Sequence, residues 1–160
     1  MEWRGQKTEC NEDVGDLLIK SSSLHGVEIG GAIIPNIIDE IPILSIAASC
    51  AEGKTTIKDA KELRVKESDR LEAIASGLKA LNVPHYLHED GIEISGVKEI
   101  FPSDEPIDSF GDHRIAMSFL ISSLISTKDI IVLNCENIYT SFPSFFDEMN
   151  KLGLSMEKYG

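Results

Sequence analysis

Glu62-Leu63-Arg64-Val65-Lys66-Glu67-Ser68-Asp69-Arg70-Leu71 is the stretch on which the rest of the chain turns. Six of these ten residues are charged, yet they run directly into an apolar pattern. Leu71, Ile74, Ala75, Leu78 and Leu81 share one face at a period of 3.6 residues, which predicts a helix ending near residues 81–82. Ser68 is the expected N-cap, with Asp69 and Glu72 in the first turn where the helix dipole favours negative charge. Lys66, Glu67 and Arg70 then crowd around a helix N-terminus, whose free N–H groups already attract anions. Two cations and a carboxylate there suit an oxyanion with a proton donor beside it. The plain alternative is a solvated face, on which such pairs are worth a few tenths of a kcal/mol.

A second junction of the same kind tips the balance. In Gly111-Asp112-His113-Arg114-Ile115-Ala116-Met117-Ser118 a charged cluster again opens an apolar helix, whose apolar positions run Ile115, Ala116, Phe119, Leu120 and Leu124. A third helix is expected from near Asp39 through Ala51, apolar nearly all round and therefore buried, with Pro42 tolerated in its first turn. Taken alone, Asp39 reads as an ordinary cap of that helix.

Composition narrows the function. The chain has 160 residues with a net charge of -12, so nucleic acid is a poor partner. Small anions remain possible if the few cations are concentrated, and Lys66, Arg70 and Arg114 are the candidates. Hydrophobic content is 42%, enough for one domain with a core. No apolar run reaches membrane-spanning length and the first residues lack a signal-peptide core, so a cytoplasmic location is expected. Cys10, Cys50 and Cys135 form no CxxC, and Cys50 and Cys135 are expected as buried free thiols. The histidines show no metal-ligand spacing, so no metal site is expected.

The remaining elements follow from local pattern. Residues 1–16 show no sustained period. Strands are expected over residues 15–20 and 24–29, paired with each other, then over 55–60. A hairpin is expected over residues 85–88 and 92–94, turning at Glu89-Asp90-Gly91. Residues 101–108 read as a Pro- and acid-rich loop, 130–133 as a buried strand, 141–152 as a helix opened by Ser141-Phe142-Pro143, and 154–159 as a last strand. Helix, strand, helix, strand thus occurs twice at an offset of roughly seventy residues, the mark of an internal repeat.

Residues 63–71, Asp112 to Met117, the Ser141-Phe142-Pro143 triplet and the Ile37-Ile38-Asp39-Glu40-Ile41-Pro42 segment together resemble the C-terminal part of the 5-enolpyruvylshikimate-3-phosphate synthase family. The resemblance runs from about Gly15 onward. It implies an α/β (α+β) enolpyruvyl transferase fold, an inside-out α/β barrel of βαβαββ repeats whose helix N-termini face a cleft between two domains. This chain would carry the tail of one repeat (1–30), a second (about 31–97) and a third (about 106–160) of an incomplete C-terminal domain, without the N-terminal domain.

The implied reaction is transfer of the enolpyruvyl group of phosphoenolpyruvate to the 5-hydroxyl of shikimate 3-phosphate with release of phosphate. It is a transferase step of the shikimate pathway to chorismate and the aromatic amino acids, with no metal or organic cofactor. By resemblance Asp39 is the proton acceptor, Glu67 the proton donor and His113 lies near the reacting carbon. Arg70 and Arg114 match phosphoenolpyruvate-binding arginines, Lys66 a shikimate 3-phosphate contact, and Asp39 also touches substrate. Thr140 stands where one subgroup has a phosphate-binding lysine, and Glu62 where some members have a ring-contacting Asn. A chain with half of a two-sided site is expected to be inactive alone. The alternative is a non-enzymatic anion-binding or interaction module.

Overall fold

The computed structural model describes residues 1–158. Strand β1 (Glu2–Glu9) and strand β2 (Glu12–Leu18) form an antiparallel hairpin with Trp3 opposite Leu17. Cys10 and Asn11 both adopt left-handed backbone, as a two-residue hairpin turn requires. Residues 1–16 carry no periodic signal because the ribbon is exposed on nearly all positions, so no face needed to be apolar. The expected pairing of residues 15–20 with 24–29 does not occur. Strand β3 is only Glu28–Ile29, and it runs parallel to strand β4 (Lys54–Ile57) instead.

Between β3 and β4 the chain passes through helix α1 (Ile34–Ile37) and helix α2 (Ile41–Ser49). The latter is shorter than expected at both ends. Its buried positions include Ile41, Pro42, Ile46 and Ala48. Ser45 and Ser49 are also fully buried, and each hydroxyl donates to a carbonyl of the same helix (Ile41 O at 2.8 Å, Ile46 O at 2.6 Å). A 3-10 turn at Lys61–Val65 leads into helix α3 (Arg70–Ala80). Leu71, Ile74, Leu78 and Leu81 are all fully buried, as the periodicity required.

The hairpin of strand β5 (His85–Leu87) and strand β6 (Ile92–Ser95) forms as expected. It completes a sheet in the order β3-β4-β6-β5, with β6 antiparallel to β4. The loop after it contributes strand β7 (Ile107–Asp108). Helix α4 (His113–Ile121) follows and is continued by a 3-10 turn at Ser122–Ile125. Strand β8 (Val132–Leu133) pairs with β7 in parallel, so the chain contains two parallel β-α-β units. Helix α5 (Ile138–Ser141) and helix α6 (Phe145–Lys151) are the last regular elements among the described residues.

Ser141 therefore ends α5, and Phe142-Pro143 separates it from α6, rather than the triplet opening one long helix. Pro143 disfavours helical backbone at Phe142, whose φ of -143° is extended. Residues 154–158 form no strand, and Tyr159 lies outside the described residues.

The main core lies between the sheet and α2, α3 and α4, centred on Ile41, Ile57, Leu63, Ile74, Leu78, Ile92, Ile94, Ile115 and Phe119. A smaller cluster of Ala116, Ile138 and Phe145 ties α4 to the last two helices. Among the described residues no single helix is long and apolar enough to cross a membrane. All three cysteines are free. Cys50 and Cys135 are half-buried rather than buried, and Cys10 is exposed.

Candidate functional site

The starts of α3 and α4 meet at one place, together with the segment just before α2. Arg70, the first residue of α3, is 1% exposed although it is an arginine. Its guanidinium donates to three carboxylates: Nε to Asp112 Oδ2 at 2.7 Å, Nη1 to Asp39 Oδ1 at 2.7 Å, and Nη2 to Glu67 Oε2 at 2.6 Å. Burial works against its charge, but these carboxylates outweigh burial and hold the group more firmly protonated than usual.

Arg114 is the more open cation, with a side chain 35% exposed. Its Nη1 donates to the Asp39 backbone carbonyl at 3.0 Å, and looser 3.6 Å contacts run to the Asp39 and Glu40 carboxylates. Asp39 thus lies between the two arginines. Burial raises its pKa, but the Arg70 hydrogen bond and the charges of Arg114, Arg70 and Lys66 more than compensate, so the carboxyl titrates below the usual aspartate range. Asp39 makes no capping contact to α2, whose N-cap is Glu40 and carries no side-chain cap bond. The reading of Asp39 as a plain cap is therefore corrected.

Lys66 donates to Glu62 at 2.7 Å, a bond that holds its ammonium above the ordinary lysine value. Its charge is also felt at Asp39. His113 is the first residue of α4 and is half-buried, between Asp112 and Arg114 in sequence. Thr140 lies in α5 and donates to the Asn137 carbonyl at 2.9 Å. The structure thus brings Asp39, Glu67, Arg70 and Arg114 into one connected network, with Lys66 close enough to act electrostatically and His113 at the adjoining helix start.

Three parts of this framework were not read from the sequence as site residues or were misassigned. The N-cap of α3 is Asp69, which accepts from Glu72 N at 3.1 Å, and not Ser68. Ser68 Oγ instead donates to Asp112 Oδ2 at 3.3 Å. Asp112 is wholly buried, and its other oxygen accepts from Arg114 N at 2.9 Å and Ile115 N at 3.4 Å, capping α4. Arg64 donates to the Glu89 and His88 carbonyls at 2.6 and 2.8 Å and to Asp69 Oδ2 at 2.9 Å. It fastens the β5–β6 turn to the cap of α3. The sequence signal for Asp112 was its place before a helix, which predicts a cap but not the second bond.

Beside the network a groove of about 240 Å³ is lined by Asp39, Arg114, Met117, Ile121, Phe142 and Phe145. Among the described residues no group of three or more His, Cys, Asp and Glu side chains could hold a metal ion. Chemically, the arrangement offers fixed cations for oxyanions with carboxylates at proton-transfer range of the same point.

Fold and network together define an α/β protein that gathers opposite charges where two helices begin. The chain belongs to the EPSP synthase (3-phosphoshikimate 1-carboxyvinyltransferase) family, whose profile matches residues 5–149. A 3-phosphoshikimate 1-carboxyvinyltransferase of Petrotoga mobilis is 54% identical over 147 residues, which is 92% of this chain and 34% of that protein. One from Geobacter metallireducens is 45% identical over 152 residues, 95% of this chain and 35% of that protein. The EPSP synthase structure from Acinetobacter baumannii superposes with a TM-score of 0.87 at 39% identity, covering 98% of this chain and 36% of that one. The chain spans about a third of the length of the relatives it matches.

Proposed function

We propose that this chain carries the half of an enolpyruvyl transferase site that grips phosphoenolpyruvate. The complete site would transfer the enolpyruvyl group to the 5-hydroxyl of shikimate 3-phosphate and release phosphate. In this reading Arg70 and Arg114 hold phosphoenolpyruvate, and Lys66 meets the shikimate 3-phosphate. Asp39 takes the proton of the attacking hydroxyl, and Glu67 protonates the methylene carbon with His113 alongside. The observation that carries the reading is the sharing of Asp39 by both arginines, which sets two guanidinium groups and a low-pKa carboxylate around one point. A carboxylate that stays ionised is the right state for a base at neutral pH.

The remaining contacts belong to parts of the relatives that this chain does not match, so it is expected to bind without turning over. Phosphate release from both substrates tests the second half of that statement, and turnover by this chain alone at ordinary enzyme rates would refute it. Calorimetry tests the first half. Shikimate 3-phosphate should bind in preference to inorganic phosphate, the preference should fall in Lys66→Ala, and Arg70→Ala should weaken binding of phosphoenolpyruvate and inorganic phosphate. Equal, unselective binding of both anions, unaltered by these variants, would replace the enzyme-derived reading with a generic anion-binding module.

A further inference from the structure

The three carboxylates on Arg70 are not equivalent. Asp39 and Glu67 have side chains 42% and 56% exposed, whereas the Asp112 side chain is 0% exposed. Exposed carboxylates can rotate into water when another anion competes for their place. A wholly buried one has no such exit, because water cannot reach it without opening the core. Asp112 also spends all its acceptor capacity on the two helix starts. One oxygen takes Arg70 Nε and Ser68 Oγ, the other takes the first amides of α4 at Arg114 and Ile115.

We propose that Asp112 is the positioning residue of the oxyanion site. It pins Arg70 by Nε, leaves the two Nη groups as the exchangeable face, and fixes that face relative to the backbone that carries Arg114. An incoming oxyanion replaces Asp39 or Glu67 on the Nη groups while the Nε bond to Asp112 persists. A guanidinium has five N–H donors, so the fork can keep one partner and exchange the others. This inference rests on the reading that Arg70 and Arg114 hold an oxyanion.

Two physical effects predict opposite signs, which makes the idea testable. Removing a negative charge from the site should tighten anion binding if only the summed field matters. Removing the group that orients Arg70 should weaken it. Asp112→Asn keeps an oxygen able to cap α4. It also sets an amide donor, or a neutral oxygen, against the Arg70 Nε–H. Inorganic phosphate titrated against the folded chain is expected to bind about tenfold more weakly in Asp112→Asn, the scale of one lost charge-assisted hydrogen bond. Asp69→Asn also removes one charge and keeps a cap, on α3, without touching Arg70, and should bind phosphate as tightly as the unaltered chain or slightly better. Unchanged or tighter binding in Asp112→Asn overturns the proposal. No phosphate binding by the unaltered chain overturns the oxyanion reading itself, and the proposal with it.

A measurement on the unaltered chain covers the case in which Asp112→Asn fails to fold. The Arg70 Nε–H resonance should exchange slowly with solvent and keep its chemical shift when phosphate saturates the site, while the Asp39 or Glu67 carboxylate carbon moves. A fast-exchanging Nε–H, or one displaced by phosphate, overturns the proposal.

Discussion

Replacing Gly77 by alanine pits two effects of opposite sign against each other. Gly77 lies inside α3, where alanine is favoured over glycine by about 1 kcal/mol. An added Cβ, however, would stand 2.1, 2.5 and 2.5 Å from three ring carbons of Phe119 in α4. Carbon atoms settle at about 3.5–4.0 Å, so the ring must retreat by more than about 1 Å. Phe119 is 1% exposed and packed on all sides, so it has nowhere to go without moving α4. Overpacking costs about 1–3 kcal/mol, and three simultaneous clashes put this site near the upper end. The net expectation is a loss of about 2 kcal/mol, or a fall in melting temperature of roughly 4–8 °C for a domain of this size. Urea and thermal unfolding followed by circular dichroism measure it. Phe119→Leu combined with Gly77→Ala should cost less than the two single changes added together, because the smaller side chain clears the new methyl. A Gly77→Ala chain as stable as the original would refute the claim that α3 and α4 touch through this glycine.

Arg64→Ala removes the bond from α3's cap to the β5–β6 turn and should destabilise the chain by about 1–3 kcal/mol; Arg64→Lys should recover little, since one ammonium cannot reach three acceptors in a fixed fork. Asp39 titrates below its unfolded value, so its contribution to stability is present above about pH 4 and is lost as pH falls through the lower folded pKa. Asp39→Asn should therefore flatten the acid limb of the stability curve below about pH 4, and an unaltered limb would contradict the pairing with Arg70. Burial, helped by Glu136, pushes the Cys135 thiol up to about 11, whereas Cys10 is exposed. A maleimide at neutral pH should label Cys10 well before Cys135, as peptide mapping of a time course would show.

The elements that were legible are those with one wet and one dry face. α3, α4 and the β5–β6 hairpin bury apolar residues at regular intervals, and the sequence shows those intervals. The β1–β2 ribbon was illegible because exposure on both faces removes any periodicity. The expected strand after Leu154 had apolar residues but no partner to pair with among the described ones. In the site, charge type was readable and connectivity was not. Ser68 and Asp69 are both good caps, and only the buried Asp112 across the fold decides that Ser68 turns away. Asp39 looked like a cap because its partner Arg70 is thirty-one residues further along the chain.

The buried serines have a mechanical consequence. Ser45 and Ser49 in α2, and Ser118 and Ser122 in or just after α4, each return their hydroxyl to a carbonyl of their own chain segment three or four residues back. None reaches across to a neighbouring rod, so these hydroxyls supply no detent against one helix sliding lengthwise on another. Resistance to such slip comes from the Phe119 ring seated on Gly77 and from the charged tips, where Arg114 donates to the Asp39 carbonyl and Asp112 accepts from Arg70. Axial alignment of the helical layer therefore depends on contacts that the proposed oxyanion exchange, confined to the Arg70 Nη groups, leaves in place.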